Sequence, residues 1–424
     1  MASVSKVSLD PEAERLLGLV RKQYLQSPQF NGLHIFGDVA QSVGAAAAQL
    51  VAAGLVQVVT GEDYPNIHIR PWTSRRSVEA QLKDIADLSD DDYGVALYPT
   101  PLGMKGVRLP RRFAHRPYAQ AMARGRGTLE LAFFQFDVLE QYRNDGRFRF
   151  GFGDAGASMG LTDEASEDGD VFERDHVGMS HIGFAYDLRE YEPDDPNSPI
   201  IRRVAAFYCD LAALTPEHQR RWETYEVGPE GLDPHPLWWN SQMGHWEDAV
   251  GPFSRLFMEL ENLNQLAMLS FGEPMFRTVE RPPEFGWLLR PSQKEWDEFV
   301  GQLDKLLSEN LRSQFFERAG VEAFDDDNRP RGTLTRLQLF MIGGGASEFA
   351  ARRLLGPLRT VRKARQAPAH AIRENITDKT FVHRQIALLN DVVEAIGALR
   401  VWLSTHPNCS GWEEKYKGMQ TYMI

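Results

Sequence analysis

Apolar residues recur with helical spacing at the two ends of the chain and gather into short β-rich runs between them. In residues 11–27, Leu16, Leu17, Val20 and Tyr24 share one face, which predicts an amphipathic helix. An alanine-rich segment follows at Gly44–Gly54. The run LVQVVTGEDYPNIHIRPW then sets two β-rich segments around Gly61-Glu62-Asp63 and reads as a hairpin. Helix, helix and hairpin in this order predict a winged-helix-like module over residues 1–75. Its second helix, GAAAAQLVAAG, has neither Lys nor Arg. Reading bases or gripping phosphates needs such side chains, so packing or protein binding is expected here rather than DNA binding.

Residues 76–290 predict a mixed α/β region. RFRFGFG (147–153), MSHIGFAYDL (179–188) and the start of IIRRVAAFYCDLAAL read as strands, the last turning helical toward Asp210. A long helix is expected over Phe253–Phe271 and an acidic loop over Thr162–Asp175. Residues 291–424 predict an all-helical bundle. Ser292 and Glu295 form a capping box before the stripe Trp296, Phe299, Val300, Leu303, Leu306, Leu307 and Leu311, which Gly320 ends. A second helix starts near Thr333 and is interrupted by Gly343–Gly345. Residues 346–365 are helical with a break at Gly356-Pro357, and a last helix covers about Asp378–Ser404. The expected class is an α+β multidomain protein.

Composition narrows the function. No run approaches ~18 consecutive apolar residues, and the N-terminus has no apolar signal region, so a cytoplasmic protein without a membrane partner is expected. Cys209 and Cys409 are the only cysteines, which excludes a disulfide framework. The net charge is −12, yet residues 291–424 carry 19 Lys and Arg against 17 Asp and Glu. Nucleic-acid binding is therefore expected only locally, in the C-terminal third.

The segment LRTVRKARQAPAHAIR (358–373) concentrates that charge. From Arg352 to Arg373 there are seven basic residues and no acid, and Arg359, Arg362 and Lys363 share a helical face that can follow a phosphate backbone. Pro368 disfavours helix at Ala367, so a bend after Arg365 could bring Arg365 and His370 together. Attack by a 2′-hydroxyl needs a group that exchanges protons near neutrality, which His370 can supply. The charge developing on phosphorus needs a guanidinium, which Arg365 can supply. Gln366 and Arg373 complete the expected RNA-binding set with Arg359, Arg362 and Lys363. No metal or cofactor is expected.

This arrangement resembles the HEPN superfamily of bacterial ribonucleases, whose motif is Arg, a polar residue, then His after a few positions. Arg365, Gln366 and His370 carry the likeness, within about a third of the chain. The resemblance implies a helical bundle with the motif late in the domain, and a homodimer whose two motifs share a cleft. It also implies 2′,3′-cyclic phosphate and 5′-hydroxyl products, and a role in antiphage defence or as a toxin. The acidic N-terminal region would then restrain the enzyme, responding to a phage-derived or host protein trigger.

Other signals weigh less. Arg108…His115 and Arg400…His406 match the same spacing but lack the polar follower and the basic setting. Gly151-Phe-Gly153-Asp-Ala-Gly156 reads as a glycine-rich turn, since no helix follows to hold a pyrophosphate. His176 and His181 lie near Glu173 and Asp175 but lack a strong metal spacing. His235 and His245 flank aromatics expected in a core or interface. Arg108, Arg111, Arg112, Arg116, Arg124 and Arg126 form a second basic patch, open to nucleic acid or to the acidic loops. The alternative function is a non-catalytic regulator, with a winged helix for DNA or partner binding and a dimerising bundle.

Overall fold

The computed structural model describes residues 8–73, 76–88, 94–189, 191–192, 195, 198, 200–366 and 374–422. It is a mixed α and β protein, 48% helical and 15% strand. Among the described residues no helix is long and apolar enough to cross a membrane. The chain divides into two compact units. One comprises Met1–Phe134, Leu161–Met179 and Ala205–Pro229; the other comprises Gln135–Gly160, Ser180–Val204 and Glu230–Ile424. These units cut across the boundaries expected at residues 75 and 290.

In the first unit, helix Pro11–Gln26 is capped by Asp10 and buries Leu16, Leu17, Val20 and Tyr24, the face that its spacing predicted. It packs with helices Gly37–Ala52 and Val78–Ala86 around strands β1 (Leu33–Ile35), β2 (Val56–Val59) and β3 (Val95–Pro99). Strand β4 (Leu131–Gln135) pairs antiparallel with Glu226–Val227, whereas β3 is central between β1 and β2 and antiparallel to both. The expected hairpin around Gly61 is therefore not formed. Its first arm, β2, pairs instead with β3, more than thirty residues on. After Val59 a turn closes where Thr60 donates to the Asp63 carboxylate at 3.0 Å, and the prolines at 65 and 71 keep the second arm irregular.

That irregular arm carries Arg70, which is 2% exposed. Its guanidinium donates to the carbonyls of Pro99, Gly125 and Arg126 at 2.7, 2.5 and 3.0 Å, and lies within 6 Å of the Tyr24 and Tyr98 ring centres. Burial pushes both phenols up to about 12, so they remain neutral faces for the cation. The expected acidic loop at 162–175 is two short helices, Asp163–Glu167 and Gly169–Asp175, capped by Thr162 and Asp168.

In the second unit, β5 (Phe148–Phe152), β6 (Gly156–Leu161), β7 (Gly178–Asp187) and β8 (Ile201–Phe207) lie in that order, with Leu232–Pro234 antiparallel on β7. The glycine-rich segment is the turn between β5 and β6, closed by Gly153 N–H donating to Gly156 O at 2.8 Å. Trp238 lies against Gly183 so closely that a Cβ there would come within 2.4 Å of its ring. The helical part includes Pro252–Phe271, so it begins well before residue 291. That helix and Thr380–Ser404 pack side by side, and Gly356–Gln366 lies against both Gln293–Asp304 and Thr380–Ser404.

The helix expected from Ser292 to Gly320 is broken. Ser292 caps it as predicted, but the Glu295 carboxylate accepts from Leu289 N at 2.6 Å instead of turning back to the cap. After Asp304 the coil widens into a π turn, Lys305–Glu309. Asn310 then leaves the helix, because its amide group pairs with both backbone groups of Thr278 at 2.7 and 3.0 Å. The helix resumes at Ser313–Arg318 and ends at Gly320, whose φ is +73°.

The β5–β6 turn also serves the helical part. Helix Pro252–Phe271 starts after Gly251, which has no side chain to cap it, and Asp154 accepts from Ser254 N at 3.0 Å in its place. The same carboxylate, 7% exposed, pairs with Arg281 at 2.8 Å. Asp154→Ala would leave a mostly buried guanidinium uncompensated and is expected to cost roughly 3–5 kcal/mol in chemical denaturation.

His235 gives a pH signature. Its Nδ1 accepts from Leu237 N at 3.2 Å, and burial lowers its pKa to about 4 against an opposing pull from Asp154. The unfolded imidazole takes its proton near pH ~6.5, so between there and about 4 the unfolded chain binds more protons. Roughly 3 kcal/mol of stability present above that window should drain as pH falls through it. In acid titrations His235→Asn, which keeps a capping acceptor, should lose this dependence.

Candidate functional site

Helix Gly356–Gln366 begins with Pro357 in its first turn and buries Leu358 and Val361 against its neighbours. The opposite positions are left for polar groups. The helix is described as far as Gln366, so the end expected from Pro368 lies outside the described residues. Pro368, His370 and Arg373 lie outside the described residues, so the convergence of Arg365 and His370 expected from the sequence has no geometry here.

Arg365 is bound. Its Nη1 donates to Asp304 Oδ2 and to Glu309 Oε1, each at 2.6 Å. These bonds, that to Asp304 first, raise its pKa above the ordinary arginine value. Asp304 is 1% exposed and is held in turn by the Ser308 hydroxyl, which donates to its Oδ1 at 2.9 Å. The π turn builds this arrangement. Widening the coil over Lys305–Glu309 keeps Asp304 and Ser308 buried while Lys305 and Glu309 stay exposed. The remaining donors of Arg365, Nε and Nη2, have no hydrogen-bond partner among the described residues.

Glu309 also lines a cavity of about 470 Å³. Gln302, Lys305 and Leu306 come from the same helical stretch, and Arg277 and Phe285 from the preceding loop. Glu284 lines it as well, so the corner holds an oriented guanidinium, three carboxylates and two further cations.

The other expected RNA-binding residues are distributed differently. Arg359 donates to Gln338 Oε1 at 2.5 Å and ties its helix to Thr333–Gly343, so it does not stand free in a groove. Lys363 and Gln366 are exposed, and Arg362 is partly so.

Of the weaker motif matches, Arg400 and His406 are engaged in structural contacts. Arg400 pairs with the buried Glu259 at 2.5 Å and with Glu414 at 3.1 Å, while His406 caps Asn408 N. In the second basic patch, Arg126 pairs with Glu130 at 3.0 Å, Arg116 donates to Leu214 O, and Arg112 donates to Leu25 O. Asp175 pairs with Arg174 at 2.9 Å. Among the described residues no group of three His, Cys, Asp or Glu side chains is placed to hold a metal.

Sequence reasoning missed Asp304, Ser308 and Glu309. Asp304 was open to detection, because it falls directly after Leu303 in an apolar stripe, and a carboxylate there must find a cation. No family model, curated protein or solved structure matches this chain.

The Asp304–Arg365 contact can be measured by a double-mutant cycle of Asp304→Asn and Arg365→Ala. A coupling of about 0.5–3 kcal/mol is expected, toward the lower end because the guanidinium is partly exposed. No coupling would mean that the two groups do not meet in solution.

Proposed function

We propose that the helical part of the second unit is a metal-independent endoribonuclease of the HEPN type. It would cleave RNA by internal attack of a 2′-hydroxyl, with Arg365 and His370 as the reacting pair, and act in antiphage defence or as a toxin. The observation that supports this reading is the way Arg365 is held. A single nitrogen is anchored by two carboxylates, which orients the guanidinium beside an open cavity and leaves two donors for a phosphate oxygen. His370 would move the proton. The anchoring carboxylates outnumber the guanidinium they hold, so Arg362, Lys363 and Lys305 must supply counter-charge for the RNA backbone. The family plan further calls for a homodimer with two motifs in one cleft, and for restraint by the acidic remainder of the chain.

A second reading has its own observation. Asp304 is almost fully buried and Ser308 completes its bonding, so Arg365 can be a clamp between helices Gln293–Asp304 and Gly356–Gln366 and nothing more. The protein would then be a non-catalytic regulator, with an N-terminal module for partner binding and a dimerising bundle.

Incubation with total RNA in EDTA separates the two. The enzyme reading expects cleavage to 2′,3′-cyclic phosphate ends by the wild type, and a loss of at least about 100-fold in His370→Ala, the scale of general acid–base catalysis. Arg365→Lys should retain the clamp and the melting temperature yet lose most activity, because an ammonium lacks the planar fork. Equal behaviour of wild type and both variants would leave the regulator.

A further inference from the structure

Arg202, on β8, is 7% exposed. Its Nη2 donates to Leu288 O at 2.5 Å and its guanidinium lies 4.7 Å from the Phe136 ring centre. Its Nη1 is buried without a hydrogen-bond partner, and among the described residues no carboxylate forms an ion pair with it. Burial lowers its pKa to about 10, with the charges of Tyr186 and Glu295 pulling the other way, so it keeps its proton at neutral pH. A buried cation normally needs an anionic partner. Arg281 and Arg400, half-buried in the same unit, have Asp154 and Glu259, whereas the buried Arg336, like Arg202, has a carbonyl and a ring for partners; what sets Arg202 apart is the cavity beside it.

Arg202 lines a cavity of about 360 Å³, together with Arg203 and Lys379. Asp137 is the one acidic residue lining it among the described residues, so the walls carry a formal charge of +2. Arg203 also feels Asp187, but Arg189 already pairs with that carboxylate at 2.6 Å. Lys379 is the N-cap of the 25-residue helix Thr380–Ser404, and Val382 in its first turn lines the same cavity. The positive end of that helix dipole adds to the field, although Asp378 takes up the Thr380 N–H at 2.9 Å. The rest of the wall is apolar, from Phe136, Ile200, Leu289 and Val382.

We propose that this cavity binds a small organic phosphomonoester, its phosphate on Arg202, Arg203 and Lys379 and its organic part against the apolar wall. The charge decides for phosphate over carboxylate. A phosphomonoester carries about −1.5 to −2 at neutral pH and matches the wall, whereas a carboxylate would neutralise half of it. The volume lies at the small end of ligand pockets, roughly 300–1,000 Å³. The site uses residues separate from the Arg365 cluster and does not rest on the ribonuclease reading.

The test is calorimetry and thermal shift on the full chain, with phenyl phosphate, inorganic phosphate and benzoate, against chloride at equal ionic strength. Phenyl phosphate should bind and raise the melting temperature most, inorganic phosphate less, and benzoate least. Arg203→Ala and Lys379→Ala, both at accessible positions, should each weaken phenyl phosphate binding by about tenfold or more without lowering the unliganded melting temperature. Arg202→Met should abolish binding while the protein stays folded, since it replaces an uncompensated buried cation by an apolar side chain. Arg365→Ala should bind as wild type does. The proposal is overturned if phenyl phosphate gives no more response than chloride, if benzoate binds as tightly, or if Arg203→Ala and Lys379→Ala both bind like wild type.

Discussion

Helices Pro252–Phe271 and Thr380–Ser404 pack along an apolar seam that contains a nearly fully buried carboxylate, Glu259, 1% exposed. Arg255 reaches it from one turn earlier on its own helix at 2.8 Å, and Arg400 from the facing helix at 2.5 Å. Glu414, beyond the second helix, balances both guanidinium groups at 3.6 and 3.1 Å. Two positive and two negative charges thus close on one another around a carboxylate that is itself out of water. Such a group adds little net stability over an apolar seam, but any other pairing would leave a charge buried and uncompensated. It therefore fixes which residues of the two long helices meet. The shorter helices that carry Asp304 and Arg365 are laid against that pair.

Arginine makes many of the long-range polar connections among the described residues. Arg70 gathers three backbone carbonyls that are distant in sequence, Arg281 holds the β5–β6 turn, and Arg365 joins two helices. A rigid guanidinium holds five donors in one fixed plane and can span acceptors on separate segments, whereas a lysine presents a compact point charge on a flexible stem. The same property makes an arginine with a spare donor the natural place to look for a ligand. Arg365 and Arg202 both have spare donors, in different settings. Arg365 is already compensated by carboxylates, whereas Arg202 has only carbonyl and ring partners.

Much of the helical part was legible from spacing alone. The face of Pro11–Gln26, the long helix ending at Gly272, the glycine interruption after Thr333–Gly343 and the cap at Ser292 all depend on residues within a turn or two of each other. The β5–β6 turn was legible for the same reason. The failures share a cause as well. The hairpin after Val59 was expected between neighbours, but β2 found its partner in β3, with a helix in between. The helix beyond Asp304 was expected to continue, but Asn310 has a better use for its amide on Thr278. In each case a contact with a distant segment outweighed a local preference.

The candidate site divides along the same line. The basic run from Arg352 to Arg373 and the helix that carries Arg365 follow from residue type and local backbone preference, and these the sequence determined by itself. The partners of Arg365 did not follow from it. Asp304 and Glu309 lie 61 and 56 residues away, and only packing of helix Gly356–Gln366 against the π turn brings them to 2.6 Å. Likewise nothing near Arg202 in the sequence separates it from its neighbour Arg203. Burial of one and partial exposure of the other come from the tertiary fold, because desolvation depends on what surrounds a charge in space.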